Sequence, residues 1–207
     1  MSIKEEIKRE GTEGKIVEAA HDVFMEKGFE GTRMREIADK ADINKGLLHY
    51  YFKSKDKLFG AVFSVAFRKI IGKINEIFDA DIPLFDKIEQ FVHSYIGLIS
   101  KNPTLPRFVI NELNRNPELF IEKMNLLKNR PHVNSLVNQL KLEAEAGNIR
   151  NIEPHHFLMH MISACLFPFI GKPMFQIILD IDEERYKRMI EERKKEVTDF
   201  LISGLRK

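Results

Sequence analysis

The sequence predicts an all-α protein: three short N-terminal helices, a long helix leading out of them, and a larger C-terminal helical bundle, about nine helices in total. Three observations carry that reading. Apolar residues recur at helical spacing along nearly the whole chain. Sustained alternation of the kind that marks strands is missing. Glycine and proline punctuate the periodic runs instead of forming hairpin turns. With 207 residues, 43% of them hydrophobic and 31% charged, the chain can bury a real core and has the balance of an ordinary globular protein.

The first helix is expected from Thr12 to Lys27, with Ile16, Ala19, Ala20, Val23 and Phe24 on one face. Gly28 is placed to end it in a left-handed conformation, after which Phe29 turns inward. Thr32 is the expected cap of the second helix, which carries Met34, Ile37 and Ala38 inward; Arg35 stands where a reciprocal capping box would need Glu. Ala41, Asp42 and Ile43 make a turn. Asn44 caps a third helix over about Lys45 to Phe52, and Ser54 caps a fourth. That fourth helix runs from Lys55 to about Phe78, and its apolar positions (Leu58, Val62, Phe63, Ala66, Ile70, Ile74) outrun any compact three-helix head. It is a connector, which sets a first domain at 10–70 and a second at 80–207.

The composition changes near Ala80 to Pro83. Helices are then expected over 84–101, 104–115 and 117–147, the last broken or kinked at Pro131. Another starts near Pro154 and is interrupted by Pro168, Gly171 and Pro173; the final one runs from about Glu183 to Ser203 with Asp182 as its cap. Residues 1–9 read as a charged, frayed arm.

Several function classes drop out. No run of about 18 apolar residues suggests a membrane span, and the charged stretch from Met1 to Glu10 is not a signal peptide. A single cysteine, Cys165, excludes an intramolecular disulfide and fits a cytoplasmic protein; it is expected to be a buried, inert thiol. No glycine-rich phosphate loop, nucleophile elbow or cysteine pair is present, so no catalytic residue, cofactor or metal is expected. His156 and His160, four apart with His155 adjacent, have a spacing that could hold zinc, but Phe157 stands where a metalloprotease would carry Glu; surface, capping or core roles are the expectation.

Net charge is only +2, so charge alone does not announce a nucleic-acid binder. From Arg33 to Lys57, however, Arg33, Arg35, Lys40, Lys45, Lys53, Lys55 and Lys57 outnumber Glu36, Asp39, Asp42 and Asp56. In the same stretch two short helices meet across a turn. Small Ala38 lets them approach, and Ile37, Ile43, Leu48 and Phe52 fill the wedge. The opposite face of the third helix offers Lys45, His49 and Tyr50 to solvent, where a plain surface helix would use Glu or Lys. His and Tyr can hydrogen-bond base edges or phosphates, and Leu47 can touch a thymine methyl group. Thr32, Lys45 and Lys55 fall at helix N-termini, where backbone N–H groups favour phosphate. This is a helix-turn-helix; the bland alternative is a helical hairpin with an aromatic surface patch.

The set Ile16 to Phe24 with Gly28 and Phe29, Thr32 with Ile37-Ala38, Lys45-Gly46, and Tyr51-Phe52-x-Ser54-Lys55-x-x-Leu58 resembles the N-terminal domain of TetR-type transcriptional regulators, over about a quarter of the chain. The resemblance implies an all-helical homodimer, a double-stranded DNA operator with two-fold symmetry, and a C-terminal domain that binds a small-molecule effector. It implies DNA contacts from Lys45, Gly46, His49, Tyr50 and Tyr51 and phosphate contacts from Thr32 and Lys55; Arg33 and Leu47 complete the DNA-facing set. Leu47 and His49 depart from what the family often carries, so the operator sequence does not transfer.

The resemblance also implies a dimer seam over 155–180 and 183–205, with Tyr186, Met189, Ile190, Val197, Phe200 and Leu201 as its apolar face; the alternative is that this face is core within one chain. Phe91, Tyr95, Phe108, Phe120, Met124, Phe157 and Met161 can line an apolar effector pocket or simply pack the core. The functional expectation is therefore a ligand-responsive regulator, a repressor released from DNA by an apolar or amphipathic effector. The alternatives are a helical DNA-binding protein without an effector and, more remotely, an enzyme built on the histidines near 156.

Overall fold

The computed structural model of the chain describes residues 11–103, 105–115, 117–118, 121–122 and 130–207; the charged arm at 1–9 lies outside them. Among the described residues there are ten helices and no strand: α1 (Thr12–Gly31), α2 (Met34–Lys40), α3 (Lys45–Tyr51), α4 (Lys55–Asp79), α5 (Leu84–Lys101), α6 (Leu105–Arg115), α7 (Val133–Glu145), α8 (Pro154–Ile170), α9 (Lys172–Ile178) and α10 (Glu183–Ser203). The all-α expectation holds. No single described helix is long and apolar enough to cross a membrane. The chain divides into two compact units, Met1–Ile71 with Arg107–Arg130, and Gly72–Pro106 with Pro131–Lys207.

In the first unit, α1 buries Ile16, Val17, Ala20, Val23 and Phe24, the face its spacing called for. Gly28 breaks the helix, but differently from expectation. Its φ is 70° and its ψ 178°, an extended conformation at positive φ rather than a left-handed helical one. One more turn follows, and it brings the Phe29 ring edge-on to Phe59 at 5.0 Å and alongside Phe24 at 6.1 Å. Because of that extra turn, α2 starts one residue later than expected. Its cap is Arg33, whose N–H donates to Glu36 Oε2 at 3.2 Å, so the acceptor lacking at position 35 is supplied by position 36. Asn44 caps α3, its Oδ1 accepting from Leu47 N–H at 2.8 Å. The Ser54 hydroxyl accepts from Lys57 N–H at 3.2 Å at the start of α4.

In the second unit, α10 packs along α5, and α8 packs against both. Ile88, Val92, Ile96, Leu136, Met161, Cys165 and Leu205 are among its wholly or nearly buried side chains. The long helix expected over 117–147 is represented by α7, which begins after Pro131. Asp79 anchors that start: its carboxylate accepts from the Ser135 hydroxyl at 2.8 Å and pairs with His132 Nδ1 at 2.6 Å, and the two bonds hold its pKa down. Glu153 caps α8 through His156 N–H at 2.8 Å, with Pro154 in the first turn; Asp182 caps α10 through Arg185 N–H at 2.7 Å.

Pro168 does not end α8, which continues to Ile170 before turning by 79° into α9. A proline inside a helix leaves the carbonyl four residues back without its N–H. Here that carbonyl, Ala164 O, receives Arg193 Nε at 3.2 Å and Nη2 at 3.0 Å, and Pro168 O receives the Tyr186 hydroxyl at 2.5 Å. Two α10 side chains thus replace helix hydrogen bonds around the bend.

Candidate nucleic-acid interface

α2 and α3 pack across the turn at Ala41–Asn44. Ile37 and Leu48 are wholly buried, Ala38 and Phe52 nearly so, and the Ile43 N–H donates to Ala38 O at 3.0 Å. Ile43 itself is only half-buried, so it seals the rim of the wedge rather than filling it. With Leu48 and Phe52 directed inward, helical geometry turns their neighbours out. Lys45, Gly46, His49, Tyr50 and Tyr51 are exposed, Leu47 is half-buried, and Tyr50 shows 71% of its surface.

The outward aromatics are organised. Tyr50 and Tyr51 meet edge to face at 5.5 Å, and Lys53 Nζ lies 5.6 Å from the Tyr50 ring centre. No acid occupies the first turn of α3. A Cβ at position 46 would come within 3.2 Å of Asn44 Oδ1, so glycine leaves the capping amide undisturbed. Arg33 and Arg35 are exposed beside the start of α2. Lys55, in the first turn of α4, stands over the Phe29 ring at 4.4 Å and reaches Glu30 O at 3.5 Å.

Thr32 does not fit the role the sequence suggested. It is 2% exposed, its hydroxyl donates to Gly28 O at 2.6 Å, and its N–H donates to Phe29 O at 3.3 Å. Both donors are occupied in closing the turn after the Gly28 break, which leaves neither for a phosphate.

The residues named for an effector pocket divide. Phe91, Phe157 and Met161 are buried in the core of the second unit, and Phe78, Phe91 and Tyr95 stack in series at 5.4 and 5.2 Å. Burial pushes the Tyr95 hydroxyl up to about 12. Phe120, Met124 and the side chain of Phe108 lie outside the described residues.

Of the six residues named for a dimer face, Tyr186, Ile190, Val197 and Leu201 are buried inside the chain's own second unit and Met189 is half-buried. The physical reason is the packing of α10 along α5, which uses that stripe within the chain. Phe200 alone stands clear, 73% exposed. Met159, Ile162 and Phe167 on α8 are exposed as well; they fall within the 155–180 stretch expected for the seam, though none of them was singled out from the sequence. A heavily apolar helix hides which of its faces is the surplus one.

Near residue 156, His155 Nδ1 meets Glu153 at 2.8 Å, and that bond, with the N–H of His156, draws the Glu153 carboxyl down to about 2. Among the described residues no group of three or more His, Cys, Asp or Glu converges as a metal site. Cys165 is fully buried and its thiol is pushed up to about 12.

Comparison with known proteins agrees with this geometry. Residues 16–62 match the family described as bacterial regulatory proteins, tetR family. Over 191 residues the chain is 28% identical to a protein of Bacillus subtilis (strain 168) named "Probable HTH-type transcriptional regulator YttP", an alignment covering 88% of this chain and 90% of that one. Among solved structures, the transcriptional regulator FadR from Bacillus subtilis, in complex with stearoyl-CoA, superposes with a TM-score of 0.67 at 17% identity, over 92% of this chain and 97% of FadR. A TetR transcription regulator from Haloarcula marismortui ATCC 43049 superposes with a TM-score of 0.64 at 17% identity, over 94% and 98% of the two chains. At such identities these structures speak for the fold.

Proposed function

From the premise that this chain is a transcriptional regulator carrying the TetR-family DNA-binding domain, we propose that it binds duplex DNA as a homodimer and leaves it when a small apolar or amphipathic effector binds, acting as a repressor in the cytoplasm. Residues 10–70 form the DNA-binding domain and 80–207 the domain for effector binding and dimerisation. The observation that carries the DNA reading is α3 itself: Leu48 wholly buried on one side, His49, Tyr50 and Tyr51 exposed on the other.

α3 enters the major groove. His49 and Tyr50 meet base edges, Leu47 meets a thymine methyl, and Lys45, Lys55 and Arg33 meet phosphate and set the register. Thr32 acts from behind, by holding the turn that positions α2. One seven-residue helix covers too little DNA for tight binding, and a second copy supplies the matching half-site. Self-association is supported by the exposed Phe200, Met159, Ile162 and Phe167, since large apolar side chains in such numbers mark surfaces that bind protein.

The effector reading draws support from FadR, solved with stearoyl-CoA, and from the Phe91, Tyr95, Phe157 and Met161 cluster, whose separation would open an apolar site. Release is a population shift: an effector that binds better to a conformation with mismatched recognition helices lowers the DNA-competent fraction.

The test is a gel-shift titration against DNA from the neighbouring promoter across salt concentrations. A preferred operator with a steep salt dependence is expected; absence of sequence preference at every salt concentration overturns the reading.

A further inference from the structure

We infer that the cleft between the α8–α9 bend and α10 is a binding site for a small carboxylate carrying a short apolar tail. The cleft has a volume of about 100 Å³, and Pro168, Phe175, Leu179, Met189 and Ile190 line it with carbon. An apolar cavity of roughly 150 Å³ takes benzene, so this one takes a short alkyl chain. Tyr186 and Arg193 complete its wall, and Arg193 brings the charge.

That arginine has an unusual assignment. It is half-buried, and its contacts among the described residues are the two bonds to the single carbonyl of Ala164. Four other cations of the helix are matched by acids: Arg185 with Glu192, Lys187 with Glu184, Lys194 with Glu191 and Lys195 with Asp199. Among the described residues neither Arg193 nor the exposed Arg188 has such a match, and of the two only Arg193 lines the cleft. Capping the carbonyl orphaned by Pro168 needs only a neutral N–H. A full positive charge brought to an apolar cleft exceeds that need, and a guanidinium retains further N–H groups in the planar fork that receives a carboxylate in bidentate fashion. The Tyr186 hydroxyl does not compete for the ligand, because it is committed to Pro168 O.

The inference concerns binding alone and stands apart from the DNA reading. It is tested on the full chain by calorimetric titration with pentanoate and, as the uncharged counterpart, pentan-1-ol. Pentanoate is expected to bind saturably with a dissociation constant on the order of 1 mM, and pentan-1-ol at least tenfold more weakly. Arg193→Gln keeps an amide for Ala164 O and should lose pentanoate binding by tenfold or more. Leu179→Trp fills the half-open mouth of the cleft and should block pentanoate without touching Arg193; this variant decides the matter if Arg193→Gln fails to fold. No saturable binding to the wild-type chain, equal affinity for pentanoate and pentan-1-ol, or undiminished pentanoate binding in either folded variant overturns the site.

Discussion

Two regions of the molecule, the helix-turn-helix and the second unit, expose large apolar side chains in different company. In the first, Tyr50 and Tyr51 carry hydroxyl tips and stand beside Lys45, His49 and Lys53. In the second, Met159, Ile162, Phe167, Ile177 and Phe200 are exposed with no polar tip at all. The chemistry of the tip separates the partners. A ring with a donor at its end suits a wet, charged surface whose grooves offer acceptors, as DNA does; a bare hydrocarbon gains only by being covered with more hydrocarbon. The same chain thus presents a polar-aromatic face of the chemistry that the proposed DNA contact needs and an apolar face of the chemistry that the proposed dimer needs.

The hardest test of that contrast removes the support of the polar face. Leu48→Ala deletes a wholly buried side chain behind His49 and Tyr50. It should cost about 2–5 kcal/mol and melt the first unit ahead of the second in thermal unfolding followed by circular dichroism. An unchanged melting profile would mean that α3 does not depend on its inner face. Next in size, Phe200→Glu places a charge on the apolar face and should weaken self-association by about 2 kcal/mol or more, read as a shift toward monomer in sedimentation velocity. A dimer that persists at the same concentration puts the seam elsewhere. Tyr50→Ala should then weaken operator binding by about 1–3 kcal/mol, measured by fluorescence anisotropy, with the melting temperature unmoved; equal affinity removes Tyr50 from the contact set.

The smallest effect is a pH dependence in the second unit. Glu153 has a folded pKa of about 2 against an ordinary 4.5, so the carboxylate form is favoured by folding. Its stabilisation is fully present above about 4.5 and is lost as pH falls toward 2. Glu153→Gln should remove that acid limb, leaving a shallower loss of helicity over the same window in a circular-dichroism titration. A variant with the wild-type acid limb would show that the Glu153 cap is not what the acid breaks.

Much of this was legible without coordinates, and the legible parts share a cause. Asn44, Ser54 and Asp182 cap their helices as read, because a cap binds an N–H three residues along and depends on nothing more distant. The inward placement of Leu48 and Phe52, and therefore the outward placement of His49 and Tyr50, follows from periodicity alone. The failures were non-local. Thr32 carries the residue type of a helix cap, yet the Gly28 break turns its hydroxyl back onto the preceding helix. The α10 stripe is amphipathic in sequence whether it packs on α5 or on a second copy. Arg193 reads as one more surface cation until Pro168 sets an unpaired carbonyl before it.

By itself, then, the sequence determined the helical class, the caps at Asn44, Ser54 and Asp182, the helix-turn-helix and the outward His49–Tyr50 face of α3, since each rests on interactions within a few residues. Only the tertiary structure decided which apolar stripe is used inside the chain, which large apolar side chains stay exposed, and which cation caps the carbonyl freed by Pro168. Those are questions of pairing between distant segments, and helical periodicity records that a face is buried without recording against what.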